Sequence, residues 1–346
     1  MRPSPHAATI LAAFAALTLC VQASSAQPLQ GTIQQHSFIG PVTGQAVNFN
    51  IYLPPGYAQN LGRYPVIYHL HGIGGNQGGG QNTIVPAAFE QAMASRTIGP
   101  VIIIFANGYT DAWWANAFDG SKPAETDVIS QLIPYVDTHF RTKSFAGARV
   151  IEGFSMGGFG ATKFYTKFPN QFAACVEYDG AMVTWPVMLQ FHASLAASIF
   201  NNSETYFNQF SPWYWSTQNA AILQDKPPVR MVIGALVGGN QNFRDHLQSL
   251  SIPFDYVTTG CAHDIGCLFT AQGQQSAAFI ASHLDLGAPA DLDGDGDVDV
   301  NDLLALITVW GPCPPPGGPG ADCPADLNHD GSIAVTDLLM LITTWG

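Results

Sequence analysis

Short apolar runs alternate with longer helical patterns between about residues 34 and 285. The runs have the length of strands and are rich in β-branched and aromatic residues. They predict strands at 47–53, 66–71, 101–106, 150–154, 173–178, 229–235 and 254–258. Residues 126–140 and 156–168 predict helices. Because runs such as 101–105 are apolar throughout, the pattern predicts an α/β fold whose doubly wound, mostly parallel sheet is covered on both faces.

The pattern changes at 287–290, after which one unit occurs twice with an offset of 35 residues. Each copy is an Asp-rich segment, at 291–302 or 326–337, followed by an apolar Leu-Leu-x-Leu-Ile-Thr helix that ends in Trp-Gly. The connector at 312–324 is rich in Pro and Gly and predicts a spacer. The C-terminal part is therefore a duplicated module.

The N-terminus has the pattern of a secretory signal peptide. Arg2 precedes an apolar run at 7–21, and small residues lead to an expected cleavage after Ala26. A lipoprotein signal at Cys20 is the alternative, but the residues before that cysteine are bulkier than such signals use. We therefore expect an exported protein, either secreted or at the cell surface.

Charge is concentrated at the C-terminus. The net charge is −13, and residues 288–346 contain ten Asp and no Glu, Lys or Arg. An almost neutral body with an acidic tail lacks a basic patch for phosphates, which excludes a nucleic-acid partner and favours cation binding. No segment after the leader has the roughly 18 apolar residues that span a bilayer. Three units are expected, a signal peptide at 1–26, an enzyme domain at 27–287 and the module at 288–346.

The two Asp-rich segments have the spacing of calcium loops. Calcium takes about six to eight oxygen ligands, which a tight loop supplies from alternating side chains and one backbone carbonyl at position 7. Positions 1, 3, 5, 7 and 12 hold Asp291, Asp293, Asp295, Asp297 and Asp302 in the first loop, and Asp326, Asn328, Asp330, Ser332 and Asp337 in the second. An acidic tail without metal is the alternative, but the duplicated spacing and the helix after each loop favour structural calcium.

The pair of loops resembles dockerin type I repeats over about residues 289–346. The resemblance implies a module that folds on calcium and binds a cohesin-like protein or a cell-surface scaffold. The aliphatic helices that end in Trp310 and Trp345 differ from the polar recognition positions of cellulosomal dockerins.

The segment Gly153-Phe-Ser155-Met-Gly157 lies between an expected strand and an expected helix, which is the context of a nucleophile elbow. Its glycines leave room for the strained turn that exposes Ser155. The backbone N–H of Met156, at a helix N-terminus, would face a developing oxyanion. The sequence therefore predicts a serine nucleophile.

A second oxyanion donor is expected from the loop after an early strand. Gly72 and Ile73 are the candidates, while His71 is expected to orient this loop and His69 to be a buried strand residue. The base should lie near the end of the enzyme domain, because the chain order in this fold is Ser, acid, His. His263 follows the last strand, whereas His246 and His283 lie in expected helices, so His263 is preferred.

Export permits disulfides, and five cysteines remain after the leader. The close pairs predict the bridges Cys261–Cys267 and Cys313–Cys323, of which the first would brace the loop that carries His263. Cys175 lies in an apolar run and is expected to be a buried, unreactive thiol.

Three landmarks resemble the esterase D-like family over about residues 31–285: Tyr52-Leu-Pro-Pro-Gly-Tyr57, Leu132-Ile-Pro-Tyr-Val-Asp137 and Gly153-Phe-Ser-Met-Gly-Gly158. The family includes feruloyl and acetyl xylan esterases of carbohydrate esterase family one, S-formylglutathione hydrolases and mycolyltransferases. The resemblance implies an α/β-hydrolase with Ser155 as nucleophile and His263 as base. Where the family usually places its acid, this chain has Val237.

Three residues could replace the missing acid. Asp179 follows the strand after the nucleophile helix, Asp245 lies in a helix beyond the usual loop, and Asn240 could orient the histidine without a charge. Asp179 is preferred because a carboxylate at a strand end can hold the imidazole tautomer and stabilise the imidazolium. A purely structural turn at Tyr178-Asp-Gly180 is the alternative.

Two aromatic segments, Trp113-Trp114 and Trp213-Tyr-Trp215, lie in expected loops. They either form a platform for a sugar or phenolic acyl group or pack in the core. The combined features predict a secreted serine esterase that needs no cofactor for catalysis and hydrolyses carboxylic esters, such as feruloyl or acetyl groups on polysaccharides. The alternative is a catalytically degenerate hydrolase fold that acts as a calcium-dependent surface-binding protein.

Overall fold

The computed structural model describes residues 28–314 and 323–346. The expected signal peptide at 1–26, with Cys20, lies outside these residues. An eight-stranded sheet forms the centre of the enzyme domain, in the order β1-β2-β4-β3-β5-β6-β7-β8. The strands are β1 Thr32–Ile39, β2 Ala46–Leu53, β3 Val66–Leu70, β4 Ile102–Ala106, β5 Arg149–Phe154, β6 Ala174–Tyr178, β7 Val229–Ile233 and β8 Phe254–Thr258.

Strands β3 to β8 are parallel, whereas β2 pairs antiparallel with both β1 and β4. A buried apolar core covers each face of the sheet, as a doubly wound fold requires. The helices of this domain are α1 Gln81–Ala94, α2 Ala124–Thr126, α3 Ile133–His139, α4 Met156–Lys167, α5 Trp185–Phe191, α6 Ala193–Ser198, α7 Glu204–Asn208, α8 Pro212–Gln218, α9 Ala220–Leu223, α10 Val237–Ser249 and α11 Ile265–His283. The predicted fold class is confirmed.

Three local predictions differ from the structure. Strand β1 was not predicted, because its sequence is largely polar and its residues are exposed or half-buried at the edge of the sheet. The helix predicted at 126–140 is interrupted, since a π-helix, Asp127–Leu132, joins α2 to α3. The segment around Trp213, expected to be a loop, is the first part of α8.

The C-terminal module contains α12 Val300–Thr308 and α13 Val335–Thr343, each following one Asp-rich loop, and the short strands β9 Gly311–Pro312 and β10 Ser332–Ile333. A small separate core holds it together. Both expected disulfides are present, and Cys175 is a buried free thiol. Among the described residues, no helix is both long and apolar enough to cross a bilayer.

Candidate active site

The turn between β5 and α4 holds Ser155 in a strained conformation, with φ +58° and ψ −119°. The turn is possible because two glycines allow the backbone to close on itself. A Cβ on Gly153 would lie 2.2 Å from the carbonyl oxygen of Gly157, and a Cβ on Gly157 would lie 1.9 Å from that of Leu70. The expected elbow is therefore formed, and the end of β3 lies directly against it.

Three side chains meet at the carboxyl edge of the sheet. His263 Nε2 lies 2.9 Å from Ser155 Oγ, and His263 Nδ1 lies 2.6 Å from Asp179 Oδ2. Asp179 is fully buried, and the imidazole is 35% exposed. Because the carboxylate accepts the Nδ1–H, it fixes the tautomer that leaves Nε2 free to accept the serine proton. The arrangement can activate a serine hydroxyl.

The carboxylate of Asp179 extends from the end of β6 to the loop after β7. There it accepts the backbone N–H groups of Gly234, Ala235 and Leu236 at 2.9–3.0 Å. The backbone of Asp179 has φ +47°, as a turn residue would. The geometry of this one residue is therefore compatible with both the turn interpretation and the acid interpretation.

The other two acid candidates lie elsewhere. Asn240 donates to the carbonyl oxygens of Gly180 and Leu236, at 2.9 and 2.8 Å, and so braces the loops around the site. Asp245 is exposed and pairs with its neighbour Arg244. Of these candidates, only Asp179 forms a hydrogen bond with His263 within the described part of the chain.

The loop that carries His263 is held from several sides. The disulfide Cys261–Cys267 closes it, and Asp264 caps α11 by accepting the N–H of Cys267 at 2.7 Å. The imidazole stacks on Phe154, with ring centroids 4.6 Å apart. His246, by contrast, contacts Ser216 and Trp213, and His283 contacts the carbonyl of Phe279.

The expected oxyanion loop lies beside the nucleophile. A Cβ on Gly72 would lie 3.1 Å from Cβ of Ser155. Within residues 28–314 and 323–346, the N–H groups of Gly72, Ile73 and Met156 donate to no protein acceptor. N–H groups without an internal partner are available to an oxyanion. Gly72 therefore lies beside the nucleophile, and the three expected donors have no internal acceptor in the described part of the chain.

His71 fixes the shape of this loop. Its Nδ1–H donates to the carbonyl of Gly72 at 2.8 Å, and its Nε2 accepts the N–H of Gly108 at 3.1 Å. Burial lowers the pKa of His71 to about 4, which the hydrogen bond to Gly72 only partly opposes. The ring is therefore neutral at ordinary assay pH and orients the loop rather than transferring protons.

Two residues support His71 in a way that was not predicted from the sequence. The indole Nε1–H of Trp114 donates to the His71 carbonyl at 3.2 Å, and Lys163 Nζ donates to the Trp114 carbonyl at 2.7 Å and to Glu125 at 2.8 Å. Lys163 is fully buried, and burial lowers its pKa to about 8. A lysine in the middle of an apolar nucleophile helix was the signal that could have indicated this support.

Replacing His71 with alanine is expected to lower kcat about ten- to a hundredfold with little change in KM, because a loosened donor costs less than a deleted one. His71→Asn keeps a donor near the Gly72 carbonyl and should recover part of the loss.

The folded-state pKa of His71 lies below the ordinary value of 6.5. The contribution of this ring to the free energy of unfolding is therefore complete above pH 6.5 and declines towards pH 4. Steady-state kinetics and thermal melts across pH test this; equal losses in both variants would contradict it.

A cleft of about 450 Å³ lies next to the site, between the turn after β6 and the start of α10. Met182, Val183, Leu236 and Val237 give it apolar walls, and Trp213 also lines it. Trp113 and Trp114 are 1% and 0% exposed. The platform interpretation therefore fails for the first tryptophan pair, which packs in the core, and only Trp213 reaches the cleft.

The first Asp-rich loop fits a hard cation. One carboxylate oxygen each from Asp291, Asp293 and Asp302 lies within 4.8 Å of the other two. Among the described residues, Asp291 Oδ2 is buried without a hydrogen-bond partner. Oxygen donors of this kind suit calcium. Bound calcium would supply positive charge that holds these carboxylates together.

The second loop has the same internal pattern. Asp337 Oδ1 accepts the N–H groups at loop positions 2 and 3, as Asp302 Oδ1 does in the first loop. Apart from the buried Asp326, the remaining expected ligands are exposed or half-exposed: Asp295, Asp297, Asn328, Asp330 and Ser332.

Two family models match the chain, Esterase at residues 40–230 and the Dockerin type I domain at residues 289–344. Esterase MT1326 of Mycobacterium tuberculosis is 34% identical over 134 residues, which are 38% of this chain and 28% of that protein. The endo-1,4-beta-xylanase/feruloyl esterase of Xylanibacter ruminicola is 31% identical over 152 residues, 41% of this chain and 20% of that protein. The match spans less than a third of either relative.

Solved structures share the fold. A ferulic acid esterase aligns with a TM-score of 0.63 at 21% identity, covering 74% of this chain and 100% of that one. FphF, a fluorophosphonate-binding serine hydrolase of Staphylococcus aureus, aligns with a TM-score of 0.62 at 19% identity, covering 72% and 98%. Both resemblances noted in the sequence are confirmed.

Proposed function

Because the chain belongs to the Esterase family, we propose that it is a secreted serine hydrolase of carboxylic esters. In this proposal Ser155 is the nucleophile, His263 the general base and Asp179 the acid. The observation that carries it is the continuous hydrogen-bonded path from Asp179 through His263 to a serine on a strained elbow. No cofactor is needed for this chemistry.

The reaction follows from the positions of the atoms. As Ser155 Oγ attacks the ester carbonyl carbon, His263 Nε2 takes its proton, and Asp179 stabilises the imidazolium. The carbonyl oxygen becomes an oxyanion facing the N–H of Met156 and that of Gly72 or Ile73. His263 then gives the proton to the leaving alcohol, and water repeats the sequence to release the acid.

The substrate class proposed is an acyl ester on a polysaccharide, with feruloyl or acetyl as the acyl group. The apolar cleft at the turn that follows Asp179, with Trp213 in its wall, suits a group with an aromatic or small apolar surface. A matched relative is named a feruloyl esterase, and an attached dockerin-like module favours an extracellular substrate.

Fluorophosphonate labelling tests the esterase proposal against the alternative, a degenerate fold that only binds surfaces. The probe forms a stable bond with an activated serine, so the wild type should be labelled at Ser155 and Ser155→Ala should not. Asp245→Asn, which alters an exposed carboxylate away from His263, serves as the labelled control. A wild type that takes up no label while correctly folded would support the binding alternative.

We propose in addition that both loops bind structural calcium and that the module docks on a cohesin-like protein or cell-surface scaffold. The duplicated ligand spacing and the converging carboxylates of the first loop support calcium. Large apolar side chains exposed on α12 and α13, such as Leu304 and Leu339, support a protein partner.

Removing calcium with EDTA is expected to unfold the module while the enzyme domain stays folded, because clustered carboxylates repel one another without a cation. The helical circular dichroism signal of α12 and α13 should fall and return on adding calcium, and ester hydrolysis should change less than about threefold. Calorimetric titration should count two sites, and Asp302→Ala or Asp337→Ala should remove one each. No heat of binding would contradict the calcium proposal.

A further inference from the structure

The two calcium loops share their spacing but have different surroundings. Loop position 4 is Gly294 in the first copy and His329 in the second, and Gly294 is buried whereas His329 is exposed. Both have positive φ, +74° and +59°. Since the second loop accepts a histidine at this turn, the turn alone does not require the glycine at 294.

Gly294 lies against the enzyme domain. A Cβ at this position would lie 2.4 Å from Cδ of Arg63 and 3.2 Å from the carbonyl oxygen of Thr142. The Gly294 carbonyl accepts the backbone N–H of Ser144 at 2.6 Å and the Ser144 hydroxyl at 3.1 Å. The absence of a side chain at 294 is therefore explained by close contact between the domains.

Phe145 extends the same contact. A Cβ on Gly296, at loop position 6, would lie 3.0 Å from the Phe145 side chain, and one on Gly287 would lie 3.2 Å from it. At Gly331, the equivalent of Gly296, a Cβ would meet no described atom within 4 Å. Only the first loop is packed on the enzyme domain at this position.

The charges across this contact are complementary. Arg63 and Lys143 of the enzyme domain line a crevice of about 290 Å³ together with Asp291, the first residue of the loop. Opposite charges placed in this way fix the register of a contact. A basic edge on the enzyme domain thus faces the acidic module.

We infer that the first calcium loop is a docking surface for the chain's own enzyme domain, and that calcium in this loop holds the contact in place. The inference rests on the proposed calcium binding, because the loop must keep its shape to present the Gly294 carbonyl to Ser144. In the second loop, His329 is exposed and Gly331 has open space around it, so these two positions lie outside the contact. The enzyme domain and the loaded module then move as one body rather than as two tethered units.

The test uses the mature full-length chain and the substitution Gly294→His, which copies the second loop into the first. His329→Gly is the matched control. With calcium, Gly294→His should raise amide hydrogen exchange at Ser144 at least tenfold and enlarge the maximum dimension in small-angle X-ray scattering. His329→Gly should match the wild type, and the wild type in EDTA should resemble Gly294→His.

Calorimetry on the same samples separates the two proposals. Docking is supported if the wild type and Gly294→His both bind calcium at two sites and the domains are apart only in Gly294→His. If calcium binds but Gly294→His or EDTA leaves both the exchange and the scattering unchanged, docking is overturned and calcium binding stands. If the wild type binds no calcium, the calcium proposal fails, and so does the inference that calcium holds the contact in place.

Discussion

Replacing Ser155 with alanine is expected to lower kcat about a millionfold, which leaves a residual rate about a thousand- to ten-thousandfold above the uncatalysed one. The hydroxyl is the protein group that bonds covalently to the substrate in the proposed reaction, so without it no acyl-enzyme forms and only the oxyanion donors and substrate binding still assist attack by water. A p-nitrophenyl acetate assay, with a feruloyl ester in parallel, measures the loss.

The structure predicts that this loss is chemical. Ser155 is the residue between β5 and α4, its side chain is short, and alanine keeps the Cβ that lies near Gly72. The free energy of unfolding should change by less than about 1 kcal/mol. Turnover within tenfold of the wild type would exclude Ser155 as the nucleophile.

Replacing Asp179 with asparagine is expected to lower kcat about ten-thousand-fold, because the amide can donate to Nδ1 and thereby favour the wrong imidazole tautomer. In the wild type, three backbone N–H groups at 234–236 donate to the carboxylate. In the variant, the NH₂ of the asparagine would face these donors without accepting from them. We therefore expect a lower melting temperature as well. Both changes follow from the same contacts.

Asp245→Asn is the control for Asp179→Asn, since both residues were acid candidates on sequence grounds. Asp245 is exposed and pairs only with Arg244 in the described structure, so kcat should stay within about twofold. Kinetics of the two variants decide whether Asp179 or Asp245 is the acid, and circular dichroism checks that both variants are folded. A larger loss in Asp245→Asn than in Asp179→Asn would reverse the assignment.

That Ser155 and His263 meet could be predicted from the sequence because both positions depend on local order, an elbow motif after a strand and a histidine after the last strand. For the acid the sequence left three candidates, of which Asp179 was preferred, because the acid's position depends on which strands are neighbours in the sheet. Strands β6 and β7 are adjacent, about 4.8 Å apart. An acid at the end of β6 can therefore reach the loop after β7, where Val237 stands in place of the usual residue.

The tryptophan pair shows a second limit. Apolar aromatic residues suit both a binding platform and a core, and only three-dimensional packing decides between them. Trp114 fills the space over two glycines, where a Cβ at 108 or 160 would lie 2.4 or 2.6 Å from its ring. Strand β1 was not predicted for a related reason. It is stabilised by backbone pairing with β2 rather than by an apolar pattern.

Trapping the acyl-enzyme tests the central claim most directly. The mature protein, mixed rapidly with p-nitrophenyl acetate and quenched in acid, should release a burst of p-nitrophenol close to one equivalent if deacylation is the slower step. Peptide mass spectrometry should then find the acetyl group on Ser155. An acetyl group on another residue in place of Ser155, or a burst with no covalent adduct at any quench time, would contradict the account.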